Sequence, residues 1–297
     1  MDVDTRVLRY FVAVAERLSF TEAARDLYVA QPSLSRQIRQ LEQRLGADLF
    51  TRPDVRLTAA GEQLLTAARR HLADWQHTAR LVRATAAADG NVLRFGFVVA
   101  GGGALARRAR AVFAERTGAT VEPKRFEWGG EAQALRDGFV DVAFVWLPAD
   151  LSGLHNEMVS TEVRHVAVAA AHPLAARQDV TIADLRDEPL VWTRKAPREW
   201  VDWWAVNPRP DGSAPVWGPE NENADEMLEH VAAGTAVCIG SASMAGFYRH
   251  PDLVWLPITD VEPLRIALAW PREEVNPLTG RFVRVVRDLV HAGGRGR

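Results

Sequence analysis

The spacing of apolar positions changes twice along the chain, and the changes divide it into three stretches. In the first, short helical periods dominate. Leu8, Phe11, Ala15 and Leu18 mark one helix. Ser19 followed three residues later by Glu22 is a capping-box pattern that predicts a second helix starting near Phe20, with Ala23, Ala24 and Leu27 as its apolar stripe. Tyr28-Val29-Ala30 then connects to a third start at Gln31-Pro32, where proline costs nothing because the first turn has no partner for its missing N–H. From there Leu34, Ile38, Leu41 and Leu45 recur at 3.6-residue spacing and Gly46 closes the helix, leaving Ser33, Ser35, Arg36, Gln37, Arg39 and Gln40 mostly on the opposite, wet side. Two short helices joined tightly, the second polar at its N-terminal end, match a helix-turn-helix entering the major groove. After the third helix Leu49-Phe50 is an apolar anchor, and Arg52 to Arg56 form a basic turn suited to touching phosphate as a wing. The competing reading is a small helical bundle with a solvated polar face.

In the second stretch, residues 58–90, the period lengthens into one helix. Thr58 caps it, and Leu65, Ala68, Leu72, Trp75, Ala79 and Val82 alternate steps of three and four, the seam of a coiled coil, which predicts a dimer. About 28 helical residues at ~1.5 Å each span roughly 42 Å. The alternative is a stripe that packs only on its own chain. Ala84 to Asn91 reads as a hinge.

Beyond residue 91 strands alternate with helices: strand Leu93–Val99, helix Ala104–Arg116, strand Val121–Trp128, helix Glu131–Asp137 and strand Asp141–Trp146. A second set runs through Arg164-His165-Val166, Pro189 to Trp192, a helix over Ala224–Ala233 and a strand over Thr235–Ile239. Leu264–Trp270 and a helix over Leu278–Leu289 return to the first set. The order predicts an α/β domain with a parallel sheet, in two lobes (91–162 with 266–297, and 163–265) separated by a ligand-accepting cleft.

Composition changes this picture little. The 297 residues suffice for about two domains. One cysteine excludes an internal disulfide and fits a reducing compartment. The N-terminus, with Asp2 and Asp4, lacks an export signal, and no run approaches the ~18 apolar residues of a membrane helix, so a cytoplasmic protein with no membrane partner is expected. The net charge of −2, and nine arginines against eight acids in residues 1–60, mean that placement rather than total charge must supply DNA affinity. Arg36, Arg39, Arg52 and Arg56 sit at the presumed groove-facing end. Neither a metal nor a cofactor is expected: the eight histidines are scattered, and no His-x-x-x-His, Gly-x-Ser-x-Gly or paired catalytic carboxylates stand out, which argues against an enzyme.

The runs FTEAARDLYVAQPSLSRQIRQLE, LGADLFTR and RLTAAG together resemble the N-terminal signature of LysR-type transcriptional regulators. The resemblance is dense over nearly the first 90 residues and looser afterwards. It implies a winged helix-turn-helix over 1–57, a long dimerisation helix and hinge over 58–90, and a periplasmic-binding-protein-like effector domain over 91–297. Double-stranded DNA with dyad symmetry, a small-molecule effector, a homodimer or homotetramer and RNA polymerase are the implied partners. Matched residue by residue, Gln31, Pro32, Ser35 and Arg36 approach bases, and Arg52 and Arg56 the backbone; Ser33 and Arg39, on the same polar side of the helix, complete the candidate DNA-binding set. Two departures stand out: Ala30 occupies a position where a capping serine is common, and the turn from Arg52 to Leu57 is about two residues short.

Strand ends define the expected effector site: Val99, Ala100 and Gly101, then Trp128 and Gly130, Trp146, and Thr193, Arg194 and Lys195. Relative to regulators of aromatic-compound degradation, which this half resembles, Ala100 and Gly130 replace hydroxyl side chains. Arg194 and Lys195 are therefore assigned to a cationic clamp with Trp128, Trp146 and Trp192 as walls, which points to an aromatic or apolar carboxylate. The competing views are that Arg194-Lys195 is a solvated loop, that Gly101–Gly103 is a tight turn rather than an anion site, and that Trp200, Trp203 and Trp204 form a lid or an apolar patch. A ligand-independent regulator, a solute-binding protein and an enzyme are the alternatives for the whole chain.

Overall fold

A computed structural model describes residues 4–51 and 53–294. The chain divides into two compact units, one ending at Ala79 and the other beginning at Arg80.

In the first unit, helix α1 (Thr5–Arg17) starts where Asp4 accepts from the Arg6 N–H at 2.7 Å and ends at Leu18 in the left-handed region. Helix α2 (Phe20–Asp26) starts on Ser19, whose hydroxyl accepts from the Glu22 N–H at 3.3 Å. Only half of the expected capping box forms, because the Glu22 carboxylate turns outward to Arg25 at 2.9 Å. Helix α3 (Gln31–Leu45) has Pro32 in its first turn, no side-chain cap from Ala30, and Gly46 at φ 66° as its terminator. Leu8, Phe11, Val14, Ala23, Ala24, Leu34, Ile38 and Leu41 close one apolar core with Leu49 and Phe50, whose ring stands 5.4 Å from that of Phe11. Glu42 is also buried there and accepts from the Leu49 N–H at 2.9 Å, so the chain leaving α3 is pinned by a carboxylate. A Phe50–Leu57 bridge and a Thr51 N–H to Arg56 carbonyl bond of 2.8 Å make the wing a minimal hairpin.

Thr58 caps α4 (Ala59–Asp89) through the Gly61 N–H at 3.0 Å. The expected dimer seam is divided. Ala68 is buried and Leu65 and Leu72 pack on the core of their own head, whereas Trp75 and Val82 remain exposed. The first turns of α4 supply the fourth wall that three short helices lack, so only the later positions are left for a partner. Ala84 to Asp89, expected in a hinge, stay helical, and the helix ends in a turn at Gly90 and Asn91, the latter at φ 52°.

The second unit continues with β1 (Val92–Phe97), α5 (Gly103–Thr117), β2 (Thr120–Arg125), α6 (Glu131–Arg136), β3 (Val142–Leu147) and β4 (Leu154–Glu162). Next come β5 (Arg164–Ala169), β6 (Leu190–Trp192), α7 (Arg198–Ala205), β7 (Trp217–Glu220), α8 (Ala224–Ala232), β8 (Cys238–Ser241), α9 (Ala242–Phe247) and β9 (Leu253–Pro257). Strand β10 (Leu264–Pro271) and helix α10 (Leu278–Gly294) complete the unit. The first lobe holds a five-stranded sheet in the order β2-β1-β3-β10-β4. β1 runs parallel to β2 and β3, but β10 is antiparallel to both of its neighbours, so the sheet is mixed rather than parallel throughout. The second lobe likewise departs from expectation: β8-β5-β9 is antiparallel, and β6-β7 is a parallel pair. The cause lies in connectivity, since β4 at the sheet edge carries the chain out to the second lobe and β10 brings it back between β3 and β4, so that β10 runs opposite to both. Arg94 and Asp141 fix the centre of the first lobe through a buried pair 2.6 Å apart, and Asp141 also accepts from the Arg94 N–H and from Asn276.

Candidate DNA-reading surface and effector cavity

The head's candidate reading surface is the face of α3 that its core does not use. Leu34, Ile38 and Leu41 point inward, while Gln31, Pro32, Arg36 and Arg39 are exposed and Ser33 and Ser35 half-buried. Gln31 Nε2 donates to Ser35 Oγ at 3.0 Å, so two groups with base-reading capacity are already oriented against each other. Arg39 Nε donates to the Ser35 carbonyl at 3.3 Å, which lays its side chain along the helix. Arg56 is exposed on the wing, and Arg52 lies outside the described residues. The structure adds one residue that the sequence pattern does not single out: Tyr28, 94% exposed at φ 53° in the turn before α3.

In the second unit an aromatic-lined concavity lies mostly within the second lobe. It offers about 60 Å³ to the centre of a water-sized sphere. A single water needs ~10–15 Å³, so several waters or one small planar molecule fit. Its walls are Trp128 from the loop after β2, Trp192 and Thr193 at the end of β6, Trp200, Val201 and Trp204 on α7, and Trp217 and Asn221 around β7, with Met227, Cys238 and Met244 completing the lining. The indoles form a contiguous array: Trp128 to Trp200 is 5.7 Å between centroids, Trp200 to Trp204 is 5.0 Å, and Trp204 to Trp146 is 5.6 Å.

A buried cation positions that array. Arg164 donates to the Trp203 and Trp204 carbonyls at 2.7 and 2.9 Å, and its guanidinium stands 4.1 Å over the Trp203 ring. It thereby satisfies the free carbonyls at the end of α7. Burial pushes its pKa down to about 10, still well above neutrality. Cys238 is fully buried with its sulfur 3.1 Å from that of Met227, and burial pushes its thiol up to about 12, so it is inert at neutral pH, as its apolar run suggests.

Of the strand-end residues assigned to the effector site, Trp128 and Thr193 line this cavity. Val99, Ala100 and Trp146 are buried in the core behind it, and Gly130 is half-buried at the start of α6. The expected cationic clamp is not present: Arg194 is ion-paired with Glu220 and Lys195 with Glu222 at 2.9 Å, with both cations exposed. Glu220 ends β7 and Glu222 lies just beyond it, and the pairing of β7 with β6, which the sequence pattern does not predict, brings both acids beside Thr193. The helical triplet Trp200, Trp203 and Trp204 is conspicuous by its spacing, yet spacing alone does not assign it to a site. Five tryptophans between Trp192 and Trp217 are the signal that does.

A helix-turn-helix whose second helix shows a polar face, followed in the same chain by a two-lobed domain with an apolar cavity, defines a ligand-responsive DNA-binding regulator. Similarity to known proteins places it more narrowly. Residues 5–62 match the bacterial regulatory helix-turn-helix model of the lysR family, and residues 86–290 match the LysR substrate binding domain. The regulator AlsR of Bacillus subtilis is 34% identical over 295 residues, covering 95% of each chain. BenM of Acinetobacter baylyi is 31% identical over 277 residues, covering 90% of each. Among solved structures, full-length BenM is similar with a TM-score of 0.58 and 27% identity over 98% of both chains. CbnR in complex with its target DNA is similar with a TM-score of 0.57 and 27% identity over 97% of this chain and 100% of that one. The chain belongs to the LysR family: it is a transcriptional regulator with an N-terminal DNA-binding head and a C-terminal effector-binding domain, and not an enzyme. Among the described residues, no helix is long and apolar enough to cross a membrane.

Proposed function

We propose that two copies of the head read a dyad-related promoter site from the cytoplasm, each through the N-terminal turns of α3. Gln31, Pro32, Ser33, Ser35, Arg36 and Arg39 meet the major groove, and Arg56, with Arg52, meets the flanking phosphates. The observation that carries this reading is the exposed polar face of α3 opposite a sealed apolar one. The solved complex of CbnR with its target DNA supports it, since that relative aligns along the whole chain. With nine arginines against eight acids in residues 1–60, one head gathers little non-specific affinity. Pairing is therefore part of the function. Trp75 and Val82, exposed on α4, provide the apolar contact for a homodimer, and pairs of dimers make the tetramer.

In this reading the tryptophan cavity receives a small, flat, mostly apolar effector. Occupancy favours one arrangement of the lobes, and the lobes in turn bias the spacing of the heads and so the recruitment of RNA polymerase. Fluorescence anisotropy with the DNA flanking the protein's own gene tests the proposal. Salt-sensitive binding that Arg36→Ala weakens is the expected outcome, and failure to retain any such fragment at low salt sinks it.

A further inference from the structure

We propose that the effector is uncharged: a planar molecule that carries a hydrogen-bond acceptor for an indole N–H and a donor for the Asn221 side-chain oxygen, such as a primary aryl amide, with carboxylates turned away. The proposal rests on the cavity being the effector site. Three observations carry it.

The first is what the cavity lacks. Among the described residues, none of those lining it bears a charge at neutral pH; its polar groups are Thr193, Asn221 and indole N–H groups. A carboxylate placed there has no cation to meet, and an ion without a partner in an apolar enclosure keeps none of its hydration.

The second concerns the charges nearby. The two cations that follow Thr193 are already neutralised by Glu220 and Glu222, and each points to an exposed pair rather than an open site. At the glycine turn before α5, in a pocket that Arg107 and Glu162 both line, the protein sets a carboxylate of its own. Glu162 Oε2 accepts from the Ser243 N–H at 2.8 Å at the start of α9, and its Oε1 lies 3.0 Å from where a Cβ on Gly103 would stand. An effector carboxylate at that turn meets the resident Glu162 carboxylate, which offsets the attraction of Arg107.

The third is what the cavity leaves unsatisfied. Trp128 Nε1, Trp204 Nε1 and Asn221 Oδ1 are buried without a hydrogen-bond partner. Asn221 is otherwise held firmly, its Nδ2 donating to the Trp192 carbonyl at 2.9 Å, so its oxygen is fixed as an acceptor. Buried polar groups of this kind almost always have partners in a functioning state. These two donors and one acceptor belong to wall residues of the cavity and lie just beneath its surface, so a ligand meets them when those side chains shift, and the complementary molecule carries an acceptor oxygen and a donor N–H or O–H on a flat ring.

The test uses the full-length protein, calorimetry and intrinsic tryptophan fluorescence at pH 7.5, with benzamide, phenol and benzyl alcohol set against benzoate and phenylacetate, and toluene as a ring without polar groups. Benzamide is expected to bind at least tenfold more tightly than benzoate. Trp204→Phe keeps an aromatic ring and removes the N–H, and is expected to weaken benzamide about three- to tenfold, the loss of one neutral hydrogen bond. Toluene, which cannot use that N–H, should change less than twofold in the same variant, and this separates bonding from packing. Benzoate binding as tightly as benzamide overturns the charge selection and leaves the cavity as the effector site. Equal weakening of toluene and benzamide overturns the hydrogen-bond assignment. If no compound of either set gives heat or quenching, the cavity is not the effector site and the reading beneath the proposal fails with it.

Discussion

The head and the cavity separate structure from function in opposite ways. In the head, one face of α3 is given to the core and the other, the proposed reading face, to solvent, so Leu34, Ile38 and Leu41 are sealed while Arg36 stands clear of them. In the cavity the same side chains serve both ends: Trp200 and Trp204 are buried members of the main apolar core and also walls of the candidate site. The lesson concerns what mutation can isolate. A reading residue is removable without loss of fold, whereas a cavity residue is not.

Trp204→Ala is the severest test of that contrast. Truncating a buried tryptophan costs about 3–5 kcal/mol, and here it also dismantles the contacts to Trp146, Trp200 and Trp203. Denaturant unfolding of the full-length protein should show that loss in the effector domain together with loss of ligand quenching. Ligand binding abolished at less than about 1 kcal/mol of stability would make the cavity as separable as the head, and the comparison would collapse.

A second buried polar group beside Trp128 sharpens the same point through pH. Glu131, at the start of α6, is 2% exposed, and burial pushes its carboxyl up to about 8. Unfolded, it ionises at an ordinary glutamate value near 4.3. Between those values the native state holds a proton that the unfolded chain has released, so stability falls as pH rises from about 4.5 to 8, and is flat above. Glu131→Gln should remove that slope and gain up to a few kcal/mol at pH 8. Thermal midpoints taken across pH 5–9 check it, and an unchanged slope in the variant refutes the assignment.

How much of the chain is legible in its sequence depends on the same contrast. The head's order, the Gly46 stop, the Thr58 cap and the reading face are all visible, because they depend on contacts between residues three and four apart. The divided seam on α4 is not, since Leu65 and Leu72 carry the same heptad spacing whether they face a partner or their own head. β4 escapes detection because its sequence LHNEMVSTE presents mostly exposed and half-buried positions and has no apolar alternation. The clamp fails for a non-local reason: Arg194 and Lys195 look free until β7 pairs with β6 and delivers Glu220 and Glu222, 26 and 27 residues away. Local chemistry reads well from a sequence, and neutralisation by a distant strand does not.

On the head's side, Arg36→Ala is expected to lower affinity for the operator by about 1–3 kcal/mol, the worth of one good base contact. The thermal midpoint should stay put, because the guanidinium touches none of the core. Anisotropy titrations on cognate and scrambled duplexes distinguish a base contact from a phosphate contact. A loss confined to the cognate duplex supports reading, and an equal loss on both makes Arg36 a backbone anchor.

The smallest effect probes the weak start of α3. Ala30 has the extended backbone of a capping residue, φ −69° and ψ 128°, but no side chain to cap with. A serine there ordinarily gains about 0.5–2 kcal/mol by accepting from the second or third N–H of the helix. Here Pro32 has none to give, and the Ser33 N–H already bonds the Ala30 carbonyl at 2.9 Å, so the new hydroxyl can only share it. Ala30→Ser should therefore fall at the bottom of the range, near 0.5 kcal/mol, or roughly 2–4 °C in the midpoint of a head of 60–100 residues. Operator affinity should move by less than twofold, since the gain concerns folding. A tenfold change in affinity without stabilisation would place Ala30 against DNA, and the division of α3 into a structural and a reading face would have to begin one residue earlier.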